Sequence, residues 1–275
     1  MSTTQSYSQP GNHTQSLARG SSDEDYLGNK VCPVCKGSTW ELYWDGQYEI
    51  ARKCHLCKGV NDITIQKRRE GAGLPSRYSA NVTLDDFDIS IYSKVEGGDA
   101  EMVKQMQKVM HYVDNFVSNF YEWEQRGMGL YLYSSTKGSG KSYLASCLTN
   151  SLISKYAIPM KYISASELLE RSKIEDGIKD LQDIKLLVLD DLGQKNGGQS
   201  WMDDVMFRLV DYRNSNGKIT IYTSNLKPTQ LPMDERVVDR ICEKALQLNL
   251  PEVSVRASLG KSDKMDFIKS LKIGG

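Results

Sequence analysis

Nowhere in the 275-residue chain do apolar residues run to the length, about 18, that a membrane span requires. The N-terminus lacks the apolar stretch of a secretion signal. A cytoplasmic protein with reduced thiols and no membrane contact is therefore expected. Excess charge of either sign is missing too: 35 Lys and Arg balance 35 Asp and Glu. No global basic field draws nucleic acid to the chain, so any DNA contact has to come from a local patch. The 39% apolar and 25% charged content is ordinary for a globular protein. The length allows one full α/β domain and a small appendage. Of the six cysteines, Cys147 and Cys242 stand alone inside helical patterns and read as small buried apolar residues. The other four come in two pairs.

Composition divides the chain. Residues 1–29 are dominated by Ser, Thr, Gln, Gly and Asn, with little to bury, and are expected to be a disordered tail in which His13 is solvated. A cysteine module occupies 30–60. Residues 61–76, with the basic run Lys67-Arg68-Arg69 and the stretch Gly71 to Pro75, are expected to be a linker. The main domain is placed at 77–260 and a basic tail at 261–275. Within the domain Val103, Met106, Met110, Val113, Phe116, Phe120 and Trp123 form one apolar stripe, read as a single long core helix. From Leu130 strands and helices alternate; KLLVLDD contains a continuous apolar run and KITIYTSN reads as another buried strand. That pattern predicts a parallel sheet covered on both faces by helices. Ser164 with Glu167 predicts a capped helix start.

Between a strand and a helix lies SSTKGSGKS, residues 134–142. It matches the phosphate-binding loop, G-x-x-x-x-G-K-[ST], except that Ser135 replaces the first glycine. The loop Ser135, Thr136, Lys137, Gly138, Ser139 and Gly140, small except at Lys137, lets backbone N–H groups converge on phosphate oxygens at a helix N-terminus. Lys141 is suited to β and γ phosphates, Ser142 to Mg²⁺, and Tyr143 follows in the first turn. Asp190, 49 residues beyond Lys141, closes an apolar strand together with Asp191. Asp190 suits Mg²⁺, held through water, and Asp191 suits orienting or deprotonating the attacking water. Asn225 ends the strand ITIYTSN, where an amide can reach that water or cap a turn. Arg236 and Arg240, four apart on one helix face, suit a transferring phosphoryl group of a neighbouring subunit, or ion pairs with Asp239 and Glu243. Arg256 is a further candidate for the nucleotide.

The segments YLYSSTKGSGKSYLA, LLVLDDLG, ITIYTSNL and DERVVDRI together resemble the bacterial and phage helicase loaders of the DnaC/DnaI type, over roughly residues 74–260. The resemblance implies an AAA+ ATPase using ATP and Mg²⁺, with Asp190 and Asp191 as its acidic strand end and Asn225 as sensor 1. It also implies Arg240 as a finger acting in trans, and Arg256 in SVRAS is the candidate for a sensor 2 arginine. Implied partners are a hexameric replicative DNA helicase, single-stranded DNA and further copies of the chain.

Cys32-Pro-Val-Cys35 and Cys54-His-Leu-Cys57 are 18 residues apart, a spacing that fits Zn²⁺ held by four thiolates. Two complete pairs leave His55 a bystander. Four thiolates close the tetrahedron, so the site reads as structural. Residues from Trp40 to Arg52 read as a hairpin turning at Asp45-Gly46. Trp40, Tyr43, Trp44 and Tyr48 are more aromatics than one hairpin needs, which favours docking to protein. Basic side chains exceed acidic ones there by two, and four thiolates on zinc cancel that excess, so support for DNA binding is weak. The expected whole is an α/β protein: a P-loop AAA+ parallel sheet preceded by a small zinc-binding hairpin. Its expected function is an ATP-dependent helicase loader. The alternatives are a transposition ATPase acting on duplex DNA and a zinc-dependent adaptor with an ATP switch.

Overall fold

The computed structural model describes Cys35 and residues 40–54, 62–76, 78, 82–193 and 199–261. The chain divides into two compact units, Met1–Lys67 and Arg68–Gly275. No described helix is long and apolar enough to cross a membrane.

In the first unit β1 (Trp40–Trp44) and β2 (Glu49–Lys53) form an antiparallel hairpin with Trp44 opposite Glu49. Asp45 makes the turn. Its carboxylate accepts the N–H groups of Gln47 at 2.8 Å and Tyr48 at 2.7 Å, and Gly46 takes φ of +104°. The bond from Tyr48, then that from Gln47, holds the Asp45 carboxyl below its ordinary range. Glu41 is buried and pairs with Arg52 at 2.7 Å, while Arg52 lies 3.8 Å over the Tyr43 ring. Trp40, Tyr43, Trp44, Tyr48 and Ile50 stay exposed.

Residues 61–76, expected as a linker, contain helix α1 (Asp62–Ala72). Its basic run is not idle. Arg68 donates to the Ala157 carbonyl at 3.2 Å and Arg69 to Ser154 Oγ at 2.8 Å, both at the C-terminal end of a later helix, α5 (Lys141–Tyr156). Cations are favoured where helix carbonyls have run out of partners. The apolar stripe is two helices rather than one. After the short helix α2 (Ile91–Lys94), helix α3 (Ala100–Ser118) stops at Asn119, where φ −117° and ψ 32° leave the helical region, and α4 (Phe120–Gln125) restarts at once. Asparagine competes poorly for helix interiors. The side chains nevertheless keep their core positions, with Met106, Val113, Phe116 and Phe120 buried.

Five parallel strands follow: β3 (Gly129–Tyr133), β4 (Met160–Ser164), β5 (Leu186–Leu192), β6 (Ile219–Ser224) and β7 (Ala245–Asn249). Their order is β4-β5-β6-β3-β7. Nearly every residue of β3, β5 and β6 is buried, as strands covered on both faces require. The edge strand β7 was not anticipated, since ALQLN is short and polar at alternate positions. Helices α5, α6 (Ala165–Arg171), α7 (Lys179–Asp183), α8 (Gln199–Ser215) and α9 (Glu235–Lys244) connect the strands. Ser164 Oγ accepts the Glu167 N–H at 3.1 Å and opens α6 as expected.

Arg213 of α8 is fully buried, and among the described residues no carboxylate forms an ion pair with it. Instead its guanidinium donates to Thr220 Oγ1 at 2.9 Å and to the carbonyls of Leu181 (2.6 Å), Ile184 (2.9 Å), Gln182 and Ile219. It ties the end of α7 to the start of β6. Arg213→Met removes the donors and leaves several buried carbonyls unpaired. A loss of about 3 kcal/mol is expected, or a fall of roughly 6–12 °C in Tm for a domain of this size. Thermal unfolding followed by circular dichroism checks it, and an unchanged Tm contradicts the clamp.

Candidate nucleotide site

Strand β3 delivers the chain to the loop 134–140, and α5 carries it away. Lys141, the first residue of α5, is buried, and its ammonium donates to Ser134 O (3.2 Å), Thr136 O (3.1 Å) and Ser139 Oγ (3.1 Å). Those contacts use the three donors an ammonium has. Burial lowers the Lys141 pKa to about 8, against the opposing pull of Asp191 and Asp190, and Arg256 lowers it further. Gly140 takes φ of +100°, and a Cβ there would come within 2.7 Å of the Tyr92 hydroxyl. That hydroxyl, buried, donates to Ser139 O at 2.7 Å and braces the loop. Ser135 does not take a positive φ and its side chain is exposed, so no glycine is demanded there. Lys137 is also exposed.

The acidic strand end reaches the same place. Ser142 Oγ donates to Asp190 Oδ1 at 2.8 Å, and Thr223 Oγ1 donates to the same oxygen at 2.5 Å. Between Leu189 and Leu192 the pairing of β5 with β6 shifts register, and Asp191 takes φ of +62°. A regular strand would send consecutive side chains to opposite faces. Across the shift, Asn225 Nδ2 reaches Asp191 Oδ1 at 3.4 Å. The strand order makes this possible, because β6 lies between the loop strand β3 and the acidic strand β5. Tyr162 from β4 is buried beside Ser142 O at 3.5 Å, and burial, then Asp190, raises its hydroxyl pKa.

Arg256, in the helical residues 255–261, lies against the loop as well. Its N–H donates to Gly138 O at 3.2 Å, and a Cβ on Gly138 would stand 3.1 Å from its Nε. On the other side Tyr143 packs its ring 5.5 Å from Tyr78 and 5.8 Å from Phe87.

Arg236 and Arg240 stand apart from this cluster, on α9 against α8. Arg236 pairs with Asp234 at 2.8 Å and Arg240 with Asp211 at 2.5 Å, rather than with Asp239 and Glu243. The two guanidinium carbons lie 4.7 and 4.6 Å from the Phe207 ring centre. Cys147 is buried, and its pKa is raised to about 12 by that burial. Cys242 is only partly buried, where α9 meets an open groove of about 510 Å³ lined also by Trp123, Met128 and Leu246.

The chain is similar to bacterial replicative helicase loaders. It is 24% identical to the replicative helicase loader DnaC of Escherichia coli over 222 residues, 77% of this chain and 83% of that protein. It is 27% identical to the loader DnaI of Bacillus subtilis over 130 residues, 45% of this chain but only 41% of that one. The crystal structure of DnaI superposes with a TM-score of 0.55 at 22% identity, over 69% of this chain and all of that one, which shows a common fold. No protein-family model matches the chain.

The residues present fit the groups that the resemblance implies. Ser142 and Asp190, hydrogen-bonded to each other, form a hydroxyl and carboxylate pair suited to Mg²⁺, and the loop at the N-terminus of α5 suits a polyphosphate. For zinc, Cys32, Cys57 and His55 lie outside the described residues. Cys35 and Cys54 are 1% and 0% exposed, beside a strand β2 whose every residue is exposed. Among the described residues no group of three or more metal-ligating side chains assembles.

Two residues that sequence reasoning missed are Tyr92 and Thr223. The TSN strand end contained Thr223 in plain view, but a hydroxyl two positions before the asparagine carries no signature of its own. The buried lysine generates a pH prediction. A phosphate ligand needs the ammonium, so above pH 8 binding must be accompanied by proton uptake. ATP affinity is expected to fall as pH rises from 8 to 10, by up to about tenfold per unit. Lys141→Arg, if it binds, should flatten that slope because guanidinium stays charged. Calorimetric titration across pH tests it. A wild-type affinity constant up to pH 10 contradicts the assignment.

Proposed function

We propose that the chain is an ATP-controlled loader that places a hexameric replicative DNA helicase on single-stranded DNA. What carries the reading is the convergence of Lys141, Ser142, Asp190, Asp191 and Asn225 at one helix N-terminus. The likeness to the DnaC loader over 77% of the chain supports it.

In this reading Lys141 and the N–H groups of the loop hold the β and γ phosphates, with Arg256 beside them. Ser142 and Asp190 hold Mg²⁺, which neutralises charge on the phosphate oxygens. Asp191 accepts a proton from the attacking water while Asn225 fixes its direction. Tyr143, with Tyr78 and Phe87, offers an aromatic surface to the base. Arg240, with Arg236 next to it, reaches the γ-phosphate held by a neighbouring copy. Bound ATP thereby assembles neighbours, and hydrolysis releases helicase and loader. The hairpin unit grips the helicase through Trp40, Tyr43, Trp44 and Tyr48, and zinc on Cys32, Cys35, Cys54 and Cys57 holds that unit folded.

Two experiments test the proposal. Lys141→Ala and Arg240→Ala are each expected to lose ATP hydrolysis at least tenfold. Mixed, they should recover part of it, since some interfaces then pair an intact Lys141 with an intact Arg240. No recovery in demonstrably mixed oligomers places Arg240 in cis. For the hairpin unit, full-length protein with Cys32→Ser and Cys35→Ser should lose zinc and helicase retention together, yet bind ATP normally. Structural zinc is worth about 10–16 kcal/mol in small peptides, so losing two thiolates removes most of the folding energy of so small a unit. Retention of the helicase by the zinc-free variant sinks the docking role.

A further inference from the structure

The register shift in β5 leaves a local deficit that the rest of the sheet does not have. Where regular parallel pairing stops after Leu189, the Asp191 N–H has lost its ladder position. Its hydrogen bond goes instead to a side chain, Thr223 Oγ1, at 2.9 Å. The same oxygen carries the hydrogen that Thr223 donates to Asp190 Oδ1 at 2.5 Å. One hydroxyl thus accepts from the backbone of one carboxylate residue and donates to the side chain of the other. Beside it, Ser224 Oγ donates to the Leu192 carbonyl at 2.8 Å. Two adjacent hydroxyls on β6 thereby replace ladder bonds across the shift, and Asn225, the next residue, meets Asp191 Oδ1.

We infer that Thr223 is a positioning residue for the proposed ATP hydrolysis, a side chain hydrogen-bonded to both carboxylate residues at once. This rests on the reading of Asp190 as the magnesium-side carboxylate and Asp191 as the water-side one. Asp190 Oδ1 takes two hydroxyl donors, Ser142 and Thr223. Thr223 holds Asp190 from β6, while Ser142 meets it from α5 and Tyr162 bears on it from β4. The left-handed backbone of Asp191 is costly for a residue with a Cβ and persists only where its surroundings enforce it. The bond from its N–H to Thr223 is part of that enforcement. Thr223 is 1% exposed, so it touches neither solvent nor a phosphate and acts only through its two neighbours.

The test uses the full-length protein and two near-isosteric variants. Thr223→Val keeps the shape of the side chain and removes the hydroxyl; Thr223→Ser keeps the hydroxyl and removes a methyl. Partners that orient a metal ligand typically contribute 10- to 100-fold in metal affinity or activity. Binding of a fluorescent ATP analogue is measured against Mg²⁺ concentration, alongside kcat and KM for ATP at saturating Mg²⁺. For Thr223→Val the half-saturating Mg²⁺ should rise about tenfold or more and kcat should fall to a similar degree. KM for ATP should stay within about threefold. Thr223→Ser should restore both quantities to within about threefold of wild type. A valine variant that folds, by its circular dichroism, and keeps the wild-type Mg²⁺ dependence and kcat overturns the inference. So does a serine variant as impaired as the valine one, which would mean that packing and not the hydroxyl matters. If Thr223→Val does not fold, the inference stands or falls on Thr223→Ser and Thr223→Asn. The serine variant must then show the wild-type Mg²⁺ profile, and the asparagine variant, which offers no hydroxyl, a displaced one. Wild-type protein that binds no nucleotide at any Mg²⁺ concentration overturns the reading of the site, and this inference with it.

Discussion

A strand buried on both faces cannot offer two consecutive side chains to the same site, and yet Asp190 and Asp191 both act on Lys141. The register shift after Leu189, with Asp191 in the left-handed region, resolves that conflict. Much else in the site depends on it. Ser142 of α5 meets Asp190 because β5 stays regular that far, and Asn225 meets Asp191 because β5 does not stay regular beyond it. The insertion of β6 between β3 and β5 is what brings an amide to a carboxylate across adjacent strand ends.

The same economy governs charge. Each buried cation has a set of oxygen acceptors: Lys141 within its own loop, Arg213 among backbone carbonyls. The α9 arginines are different. They are partly exposed, ion-paired to Asp234 and Asp211, and laid on the Phe207 ring. Ion pairs exposed to water are worth little, so such contacts hold the side chains in place without committing them. That is the state expected of arginines that exchange partners when a second molecule docks.

Much of this was legible in the sequence for identifiable reasons. The apolar run at Leu186 and the β-branched segment at Ile219 read as strands covered on both faces, and the Gly-Lys-Ser step at a strand-to-helix junction has few uses. The turn at Asp45-Gly46 was equally plain. Other features were hidden because they rest on tertiary contacts. The break at Asn119 interrupts a stripe whose periodicity runs straight through it. Helix α1 is tied down by Arg68 and Arg69, which reach across 89 and 85 residues to the end of α5. Strand β7 gains its place only by pairing with β3. Ser135 looked like a defect in the loop, but the backbone there does not need a glycine. Arg213 reads as one more surface charge until its carbonyl partners are seen.

In the proposed function, the ATP site drives placement of a helicase on DNA. The most direct measurement is loading of the retained hexameric helicase onto a closed circle of single-stranded DNA. Bound helicase is scored by its unwinding of an annealed strand. The account predicts unwinding that requires both this protein and ATP and that disappears with Lys141→Ala. Helicase loading that proceeds equally with the Lys141→Ala variant, or without ATP, would contradict it.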